Sequence, residues 1–182
     1  MTSGTPSETT NFTRSQQAMV DVWDEHMRAE FETGSVDDAL ETMVDEPYVY
    51  LVPLLAGGDG QDGVEAFYSE LIPQQAPDTE VIPVSRTVGD NQIVDEVIVE
   101  FTHTVEMDWM LPGISPTGNH VEIPLVVVVQ FKDDKIAFEH IYWDQASLLV
   151  QVGLLGDETL PVTGIESTQM LVDQTTPPTG DQ

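Results

Sequence analysis

The sequence contains no cysteine and very few basic residues. Its 182 residues include only 5 lysines and arginines against 33 aspartates and glutamates, so the formal net charge is −28. Without cysteine, disulfide bonds and thiolate chemistry are excluded. Since a strongly negative surface repels nucleic acids and anionic lipids, we predict that the chain binds neither nucleic acid nor membrane.

Long apolar segments are absent as well. The longest apolar run covers residues 125–129, which is the length of a strand and far too short to span a bilayer. The N-terminal residues are rich in threonine and serine and lack the basic and apolar regions of a signal peptide. The sequence therefore predicts a cytoplasmic protein.

The acidic residues are dispersed through segments that also carry regular apolar patterns. A calcium site or a disordered acidic segment would instead concentrate carboxylates in runs or loops. The composition resembles that of haloarchaeal cytoplasmic proteins. Because molar salt shortens the screening length to about 3 Å and so removes the self-repulsion, we expect the fold to need concentrated salt.

Helical spacing dominates the first part of the chain. Thr13 and Gln16 have the spacing of a capping box, and Gly34 is positioned to end the helix that follows. A second helix is predicted from Ser35 to the residues before Pro47, and a third up to Pro73. The apolar stripe of the first helix consists of Met19, Val22, Trp23, Met27 and Phe31.

Alternating apolar and polar residues dominate the second part. After a short strand at 48–55 and a glycine-rich turn, this period predicts strands at 80–88, 92–109, 120–131 and 135–143, followed by a helix from Asp144. Helices followed by an antiparallel meander indicate an α+β fold, with the helices on one face of a curved sheet and a cavity open at one end. We predict one domain over residues 13–160, a flexible leader at 1–12 and a largely flexible acidic tail at 161–182, with one short helical turn near 165–172.

Several sequence strings carry a resemblance to a known family. They include Trp23-Asp24-Glu25-His26, Phe101-Thr102-His103-Thr104, Met107-Asp108-Trp109-Met110 and Ile141-Tyr142-Trp143-Asp144. Together they resemble the SnoaL-like branch of the NTF2-like superfamily, which includes polyketide and ester cyclases, over roughly residues 15–165. The resemblance implies an NTF2-like cone, proton transfer next to a carbonyl without metal or organic cofactor, and a homodimer formed through the open sheet face.

The resemblance leaves two functions open. One is a cyclase, isomerase or lactone hydrolase that acts by acid/base chemistry on a small or medium apolar carbonyl compound. The other is a non-catalytic module for ligand binding or dimerisation, since the fold does not choose among the superfamily's activities. Leu51 stands where relatives are expected to carry a histidine before Val52-Pro53, which modestly favours the second function.

His103 is the first candidate for the catalytic base. It lies between Phe101 and Val105 on the apolar face of the predicted long strand, so that it would face the enclosed cavity. A buried histidine satisfied by a neighbouring carbonyl is the equal alternative. Asp144 is the second candidate, as an acid/base partner at the end of the last strand, although an aspartate there also suits a helix N-cap.

The last strand and the first helix supply the other polar candidates. His140 and Tyr142 share the more apolar face of the last strand, which we predict to be the inner one, and Tyr142 could donate to an oxyanion. His26 lies one helical turn before Glu30 and is a candidate polar support, with an ordinary helix-surface pair as the alternative. No metal site is predicted, since a third ligand such as His103 would have to converge. The expected pocket walls are Trp23, Tyr50, Phe101, Trp109 and Met110, with plain core packing as the alternative.

Overall fold

The computed structural model describes residues 12–156 and 160–175. The helices are α1 (Arg14–Arg28), α2 (Val36–Glu41), α3 (Gly60–Leu71), α4 (Gln145–Gln151) and α5 (Glu166–Thr175). The strands are β1 (Met43–Leu51), β2 (Ala56–Asp59), β3 (Glu80–Val88), β4 (Gln92–Thr102), β5 (His120–Lys132) and β6 (Lys135–Trp143). They form one mixed sheet in the order β2-β1-β6-β5-β4-β3, in which β1 and β6 are parallel and the other neighbours antiparallel. The predicted α+β class is confirmed.

The predicted start of α1 is confirmed by its capping contacts. The Thr13 hydroxyl accepts from the backbone N–H of Gln16 at 3.2 Å, and the Gln16 side chain accepts from the Thr13 N–H at 2.9 Å. These two bonds satisfy donors that have no partner within the helix. The helix continues as a π-helical turn, Ala29–Thr33, and ends at Gly34, whose φ of 63° is left-handed.

The region around Pro47 differs from the prediction. The second helix already ends at Glu41, and Pro47 lies inside β1. Between Met43 and Tyr48 the pairing of β1 with β6 is irregular, so a residue without an N–H group is tolerated there. The predicted glycine-rich turn is strand β2, and a Cβ on Gly57 would lie 1.8 Å from the carbonyl oxygen of Val49. Only glycine permits this close pairing.

The sheet wraps around α1 and buries one face of each central strand. Val97, Val99 and Phe101 of β4 face this core, as their alternation predicts. The strand stops at Thr102, however, rather than at residue 109. Residues 103–119 form a loop whose ends meet, since His103 and Asn119 pair at 2.9 Å through their backbones.

Part of the segment predicted as a largely flexible tail forms helix α5, where a short helical turn was predicted. This helix packs on β5, where the Thr168 hydroxyl donates to the carbonyl of Glu122 at 2.7 Å. The hydroxyl of Ser147 in α4 donates to the carbonyl of Gly164 at 2.8 Å, which fixes the segment before α5. The rest of the predicted tail, from residue 176, and the predicted leader up to residue 11 lie outside the described residues. None of the helices in the described residues is long and apolar enough to cross a membrane.

Candidate active site

The concave face of the sheet, α1 and α3 enclose a cavity of about 60 Å³. Its wall is mostly apolar, and Leu51 contributes to it at the position where a histidine was expected. Four polar side chains also reach this wall: Glu30, Tyr68, Asp95 and Glu139. All four belong to buried residues, so their charges and hydrogen bonds act in a water-poor environment.

His26 is the centre of a buried polar cluster at this wall. Its Nε2 atom lies 3.1 Å from Oε1 of Glu139, 3.3 Å from Oε1 of Glu30 and 3.0 Å from the hydroxyl of Tyr68. The Tyr68 hydroxyl in turn donates to Glu139 at 3.0 Å. His26 is fully buried, so the expected surface pair of His26 and Glu30 is wrong. The sequence placed them one turn apart but did not reveal that β6 and α3 cover them.

The other ring nitrogen of His26 fixes the orientation of the imidazole. The Thr42 hydroxyl donates to the carbonyl of Ala39 at 2.6 Å and therefore accepts from Nδ1 of His26 at 2.7 Å. Nδ1 consequently carries a proton, and Nε2 is the atom turned towards the two carboxylates. The indole of Trp23 stacks on the imidazole with 5.5 Å between ring centroids, which further restricts the ring.

The cluster displaces the pKa values of its members. Burial alone would lower the pKa of His26, but the charge of Glu139 and the hydrogen bonds to Glu139 and Glu30 raise it to about 10. Burial raises the pKa of Glu30 above its usual range, a shift that His26 opposes and the charge of Glu139 supports. At neutral pH His26 is therefore an imidazolium, while the raised pKa of Glu30 favours uptake of a proton by its carboxylate.

The local backbone places Glu30. It belongs to the π-helical turn that continues α1, where the helix widens and the carbonyl of Ala29 accepts from the N–H groups of both Gly34 and Ser35. Single π-turns often occur at functional sites because they redirect one side chain. Here the turn brings the carboxylate of Glu30 to the cavity wall and into contact with His26.

Asp95 forms a second polar element of the wall. Its carboxylate accepts from Nε1 of Trp23 at 2.7 Å and from two nitrogens of Arg86, each at 2.7 Å. Arg86 also donates to Asp24 at 2.7 Å. Since a bidentate guanidinium matches the geometry of a carboxylate, Arg86 and Asp95 form an oriented ion pair at the wall.

The cavity adjoins a larger surface groove of about 720 Å³ between the end of α1 and β3. The two spaces share the side chains of Met27, Phe31, Val81, Asp95 and Val97. The groove and the cavity therefore have part of their walls in common.

The same cluster could hold a divalent cation. Ligand atoms of His26, Glu30 and Glu139 all lie within 4.8 Å of one another, and each residue is buried. One imidazole and two carboxylates suit several divalent metals. The hydrogen bonds of the cluster nevertheless satisfy all three side chains without an ion, so the geometry does not require one.

The predicted inner face of β6 is wrong. Glu139 and Ile141 line the cavity, whereas Tyr142 is 42% exposed and His140 lies with it on the opposite, outer face. The cause is a bulge: pairing with β5 shifts between Gln130 and Phe131, which leaves Ala137 without a partner. This extra residue reverses the faces, so that Ile136 and Glu139 are both buried although their numbers differ in parity.

His103 and Asp144 also lie away from the cavity wall. His103 is buried beneath the loop, where its Nδ1 accepts from the backbone N–H of Thr117 at 3.3 Å, and burial lowers its pKa. His103 does not line the cavity, because β4 ends at Thr102; it is buried, as its alternative interpretation expected, although its Nδ1 pairs with an N–H rather than a carbonyl. Asp144 is an exposed N-cap of α4 and accepts from Ala146 at 2.9 Å and Ser147 at 3.2 Å, as its alternative interpretation proposed.

Two of the expected pocket-wall residues, Trp23 and Trp109, line the cavity. Tyr50 does not, because it points to the outer face and is 43% exposed. Phe101 and Met110 are fully buried in the core outside the cavity wall.

Sequence reasoning missed three residues of the site. Tyr68 lies in the largely apolar segment of α3, and Glu139 lies on the face of β6 opposite to the predicted inner one. Asp95 could have been found, since it alternates with Ile93 and Val97 on the inner face of β4.

Comparison with known proteins identifies the family of the chain. The sequence profile of the SnoaL-like polyketide cyclases matches residues 13–152. The chain belongs to this family. No curated protein matches the chain in sequence.

Solved structures of this SnoaL-like protein's neighbours share its fold. A candidate SnoaL-like polyketide cyclase from Jannaschia sp. CCS1 superposes with a TM-score of 0.66 at 16% identity, covering 81% of this chain and 99% of that one. For AclR, a candidate hydroxylase from Streptomyces galilaeus, the TM-score is 0.62 at 18% identity, with 87% and 99% covered. A protein with a ketosteroid isomerase-like fold from Catenulispora acidiphila, solved with trimethylamine, gives 0.59 at 12% identity, with 77% and 98% covered. These similarities establish the NTF2-like fold.

Proposed function

We propose that this SnoaL-like protein is an enzyme that moves a proton next to the carbonyl group of an apolar compound, as a cyclase, isomerase or lactone hydrolase. The proposal rests on one observation: the His26–Glu30–Glu139 cluster lies on the wall of an apolar cavity. Acid/base chemistry of this kind needs a group of adjusted pKa and walls that exclude water. It needs no organic cofactor.

Each member of the cluster has a distinct role in this proposal. Ionised Glu30 removes a proton from the carbon next to the carbonyl, becomes a neutral carboxylic acid and returns the proton to the product. His26 remains an imidazolium and stabilises the charge of Glu139 and Glu30. Tyr68 donates to Glu139 at 3.0 Å and so holds that carboxylate in place. The raised pKa of Glu30 makes it a stronger base than a solvent-exposed glutamate.

The size of the cavity limits the substrate. A space of about 60 Å³ holds only a compact reacting group, whereas pockets for drug-sized ligands measure roughly 300–1,000 Å³. The adjoining groove of about 720 Å³ has room for the rest of a medium-sized molecule. We infer that the carbonyl end enters the cavity and that the remainder lies between α1 and β3.

A ligand-binding role without turnover is the second candidate. It is favoured by Leu51, which places an apolar side chain on the wall where a histidine was expected. The two functions differ in the role of Glu30. The enzyme needs Glu30 as its base, whereas a binding protein does not.

Proton exchange would test the catalytic proposal without knowledge of the natural substrate. Neutral cyclic ketones, beginning with 2-tetralone, are incubated with the protein in deuterated buffer at molar KCl, and deuterium uptake next to the carbonyl is followed by NMR. We expect exchange faster than in buffer, and loss of at least about 100-fold in Glu30→Gln, the range that general acid/base catalysis contributes.

The matched control is Glu25→Gln, which removes an exposed carboxylate from the same helix. It should exchange like the unaltered protein. Exchange that is absent for every ketone, or equal in Glu30→Gln and the unaltered protein, would contradict the catalytic proposal and leave the binding role.

We also propose that the protein forms a homodimer through the outer face of the sheet. Tyr48, Tyr50, Phe138 and His140 form a ladder of rings on this face, hereafter the outer aromatic patch, with centroids 4.4–5.0 Å apart between successive neighbours. Tyr142 and Tyr50 are more than 40% exposed. An aromatic patch of this kind on a sheet suits a self-complementary interface.

The cellular setting remains a prediction from composition. The net charge of −28 supports a cytoplasm rich in salt, where the carboxylates repel one another less. On the same composition, we propose that the protein is of the haloarchaeal type.

A further inference from the structure

The three tryptophans of the chain differ in the hydrogen bonding of their indole N–H groups. Trp23 donates to Asp95 at 2.7 Å, and Trp143 donates to the side chain of Gln145 at 2.6 Å. The Nε1 atom of Trp109 is buried yet has no partner among the described residues. Since an unpaired buried donor carries the full cost of its lost hydration, this group calls for an explanation.

The position of Trp109 distinguishes it from the other unpaired atoms. In residues 12–156 and 160–175, the remaining buried side-chain atoms without a partner are Oγ1 of Thr79 and Nε2 of His103. Neither residue lies on the cavity wall, whereas Trp109 does. The unpaired N–H is thus carried by a residue of the candidate active site.

The other polar groups of the wall are already engaged or can only accept. The Tyr68 hydroxyl donates to Glu139, and the Trp23 N–H donates to Asp95. The side chains of Glu30, Glu139 and Asp95 end in carboxyl groups, which offer only acceptors when they are ionised. Among the described side chains of the wall, Trp109 therefore supplies the unused N–H donor.

We propose that the indole N–H of Trp109 binds the carbonyl oxygen of the substrate. This inference rests on the proposed function and identifies the donor that it needs. When Glu30 removes the proton, negative charge develops on that oxygen, and a donor fixed in a dry site stabilises the charge better than water does.

The loop around Trp109 is held in place by its neighbours. The backbone N–H of Asp108 donates to the side chain of Gln74 at 2.8 Å, and the Asp108 carboxylate accepts from the N–H of Gly113 at 2.8 Å. The N–H of Met110 donates to the carbonyl of Met107 at 2.9 Å. A donor on such a constrained turn does not have to reorganise when the substrate binds.

The charges on the wall define the class of substrate. Three carboxylates already lie there, and the cations that compensate them, His26 and Arg86, are engaged by those same carboxylates. An anionic group would add repulsion and find only one N–H. The buried part of the substrate is therefore a neutral group with one acceptor oxygen, such as a ketone or a lactone carbonyl, rather than a carboxylate.

Three small aromatic probes test this assignment without turnover. Phenol offers an oxygen that also resembles an enol, toluene has the same shape without oxygen, and benzoate carries a negative charge. Binding is measured by titration in molar KCl, with the indole ¹H–¹⁵N signals followed by NMR. We expect phenol to bind about tenfold more tightly than toluene or benzoate and to shift the Trp109 indole proton.

Two matched variants separate the N–H group from the ring. Trp109→Phe keeps an aromatic wall but removes the donor, so the preference for phenol over toluene should fall to near unity. Trp143→Phe makes the same chemical change at an indole that does not line the cavity, and should keep the preference.

The outcomes are decisive in both directions. Phenol that binds no better than toluene, a preference that survives in Trp109→Phe, or benzoate that binds most tightly would each overturn the assignment. These measurements report binding and not turnover. A result against the Trp109 assignment can therefore be told apart from a failure of Glu30→Gln to abolish proton exchange. If proton exchange depends on Glu30 but the preference for phenol over toluene does not depend on Trp109, Glu30 is still supported as the base and Trp109 is refuted as the donor.

Discussion

The Nε2 atom of His26, on the first helix, lies 3.1 Å from Oε1 of Glu139, on the last strand of the sheet. The two residues are separated by most of the domain in sequence and are both buried. Their contact links α1 to β6, and the charge of Glu139 raises the pKa of His26. We expect both the stability of the fold and the proposed chemistry to depend on this contact.

Removal of the imidazole should destabilise the protein strongly. In His26→Gln, Glu30 and Glu139 remain buried without their cation, and we expect a loss of about 3–5 kcal/mol in the free energy of unfolding. Urea denaturation in molar KCl measures this loss. His120→Gln is the matched control, because His120 is exposed beside Glu122 and should have little effect. Equal losses in the two variants would contradict the structural role of His26.

The same cluster predicts how stability changes with pH. The pKa of His26 is raised from 6.5 to about 10, so its stabilising effect is fully present below pH 6.5 and is lost as the pH rises through 10. The raised pKa of Glu30 acts in the same direction, while Tyr68, with a pKa well above 10, stays neutral.

Urea unfolding across this interval should therefore show stability falling with pH. The fall should be smaller in His26→Gln, which lacks the titrating imidazole. Parallel curves for the two proteins would show that His26 does not carry a raised pKa.

The Arg86–Asp95 pair should matter more than an exposed ion pair. Arg86→Ala leaves the buried carboxylate of Asp95 with only the Trp23 N–H, and we expect a loss of about 1–3 kcal/mol in the free energy of unfolding. Arg28→Ala removes a guanidinium whose partner, Glu25, is half exposed, and should change stability little. In an Asp95→Asn background, Arg86→Ala should lower the free energy of unfolding by less than it does in the unaltered protein. A double-mutant cycle measures this difference.

The proposed dimer depends on the outer aromatic patch. Tyr50→Glu places a charge on this patch and should convert the dimer to monomer, as measured by light scattering in molar KCl. Met170→Glu adds the same charge on α5, where the side chain is 65% exposed, and should leave the dimer intact. A monomeric unaltered protein, or a dimer that survives in Tyr50→Glu, would refute the proposed interface.

Low salt should loosen or unfold the protein. With 33 acidic against 5 basic residues, dilution of KCl lengthens the range of repulsion between surface carboxylates. Circular dichroism during dialysis from molar to millimolar KCl should show loss of structure, and sucrose in place of salt should not restore it to the same extent. A signal that is independent of salt would refute the halophilic proposal.

The sequence by itself determined the elements whose signals are local. Thr13 and Gln16 predicted the start of α1, and Gly34 predicted its end, because capping depends on residues three or four positions apart. The order of helices and strands, and the strings that resemble SnoaL-like proteins, were sufficient for the α+β class and the family. The N-cap role of Asp144 was likewise among the local interpretations.

Only the tertiary structure decided which side chains meet in the cavity. The bulge at Ala137 reversed the faces of β6, and alternation along one strand cannot detect a residue that the partner strand fails to pair. The end of β4 at Thr102 removed His103 from the site, while packing against α3 and β6 buried His26 within it. Burial and pKa depend on contacts between distant segments, and for that reason His26, rather than His103, became the histidine of the candidate site.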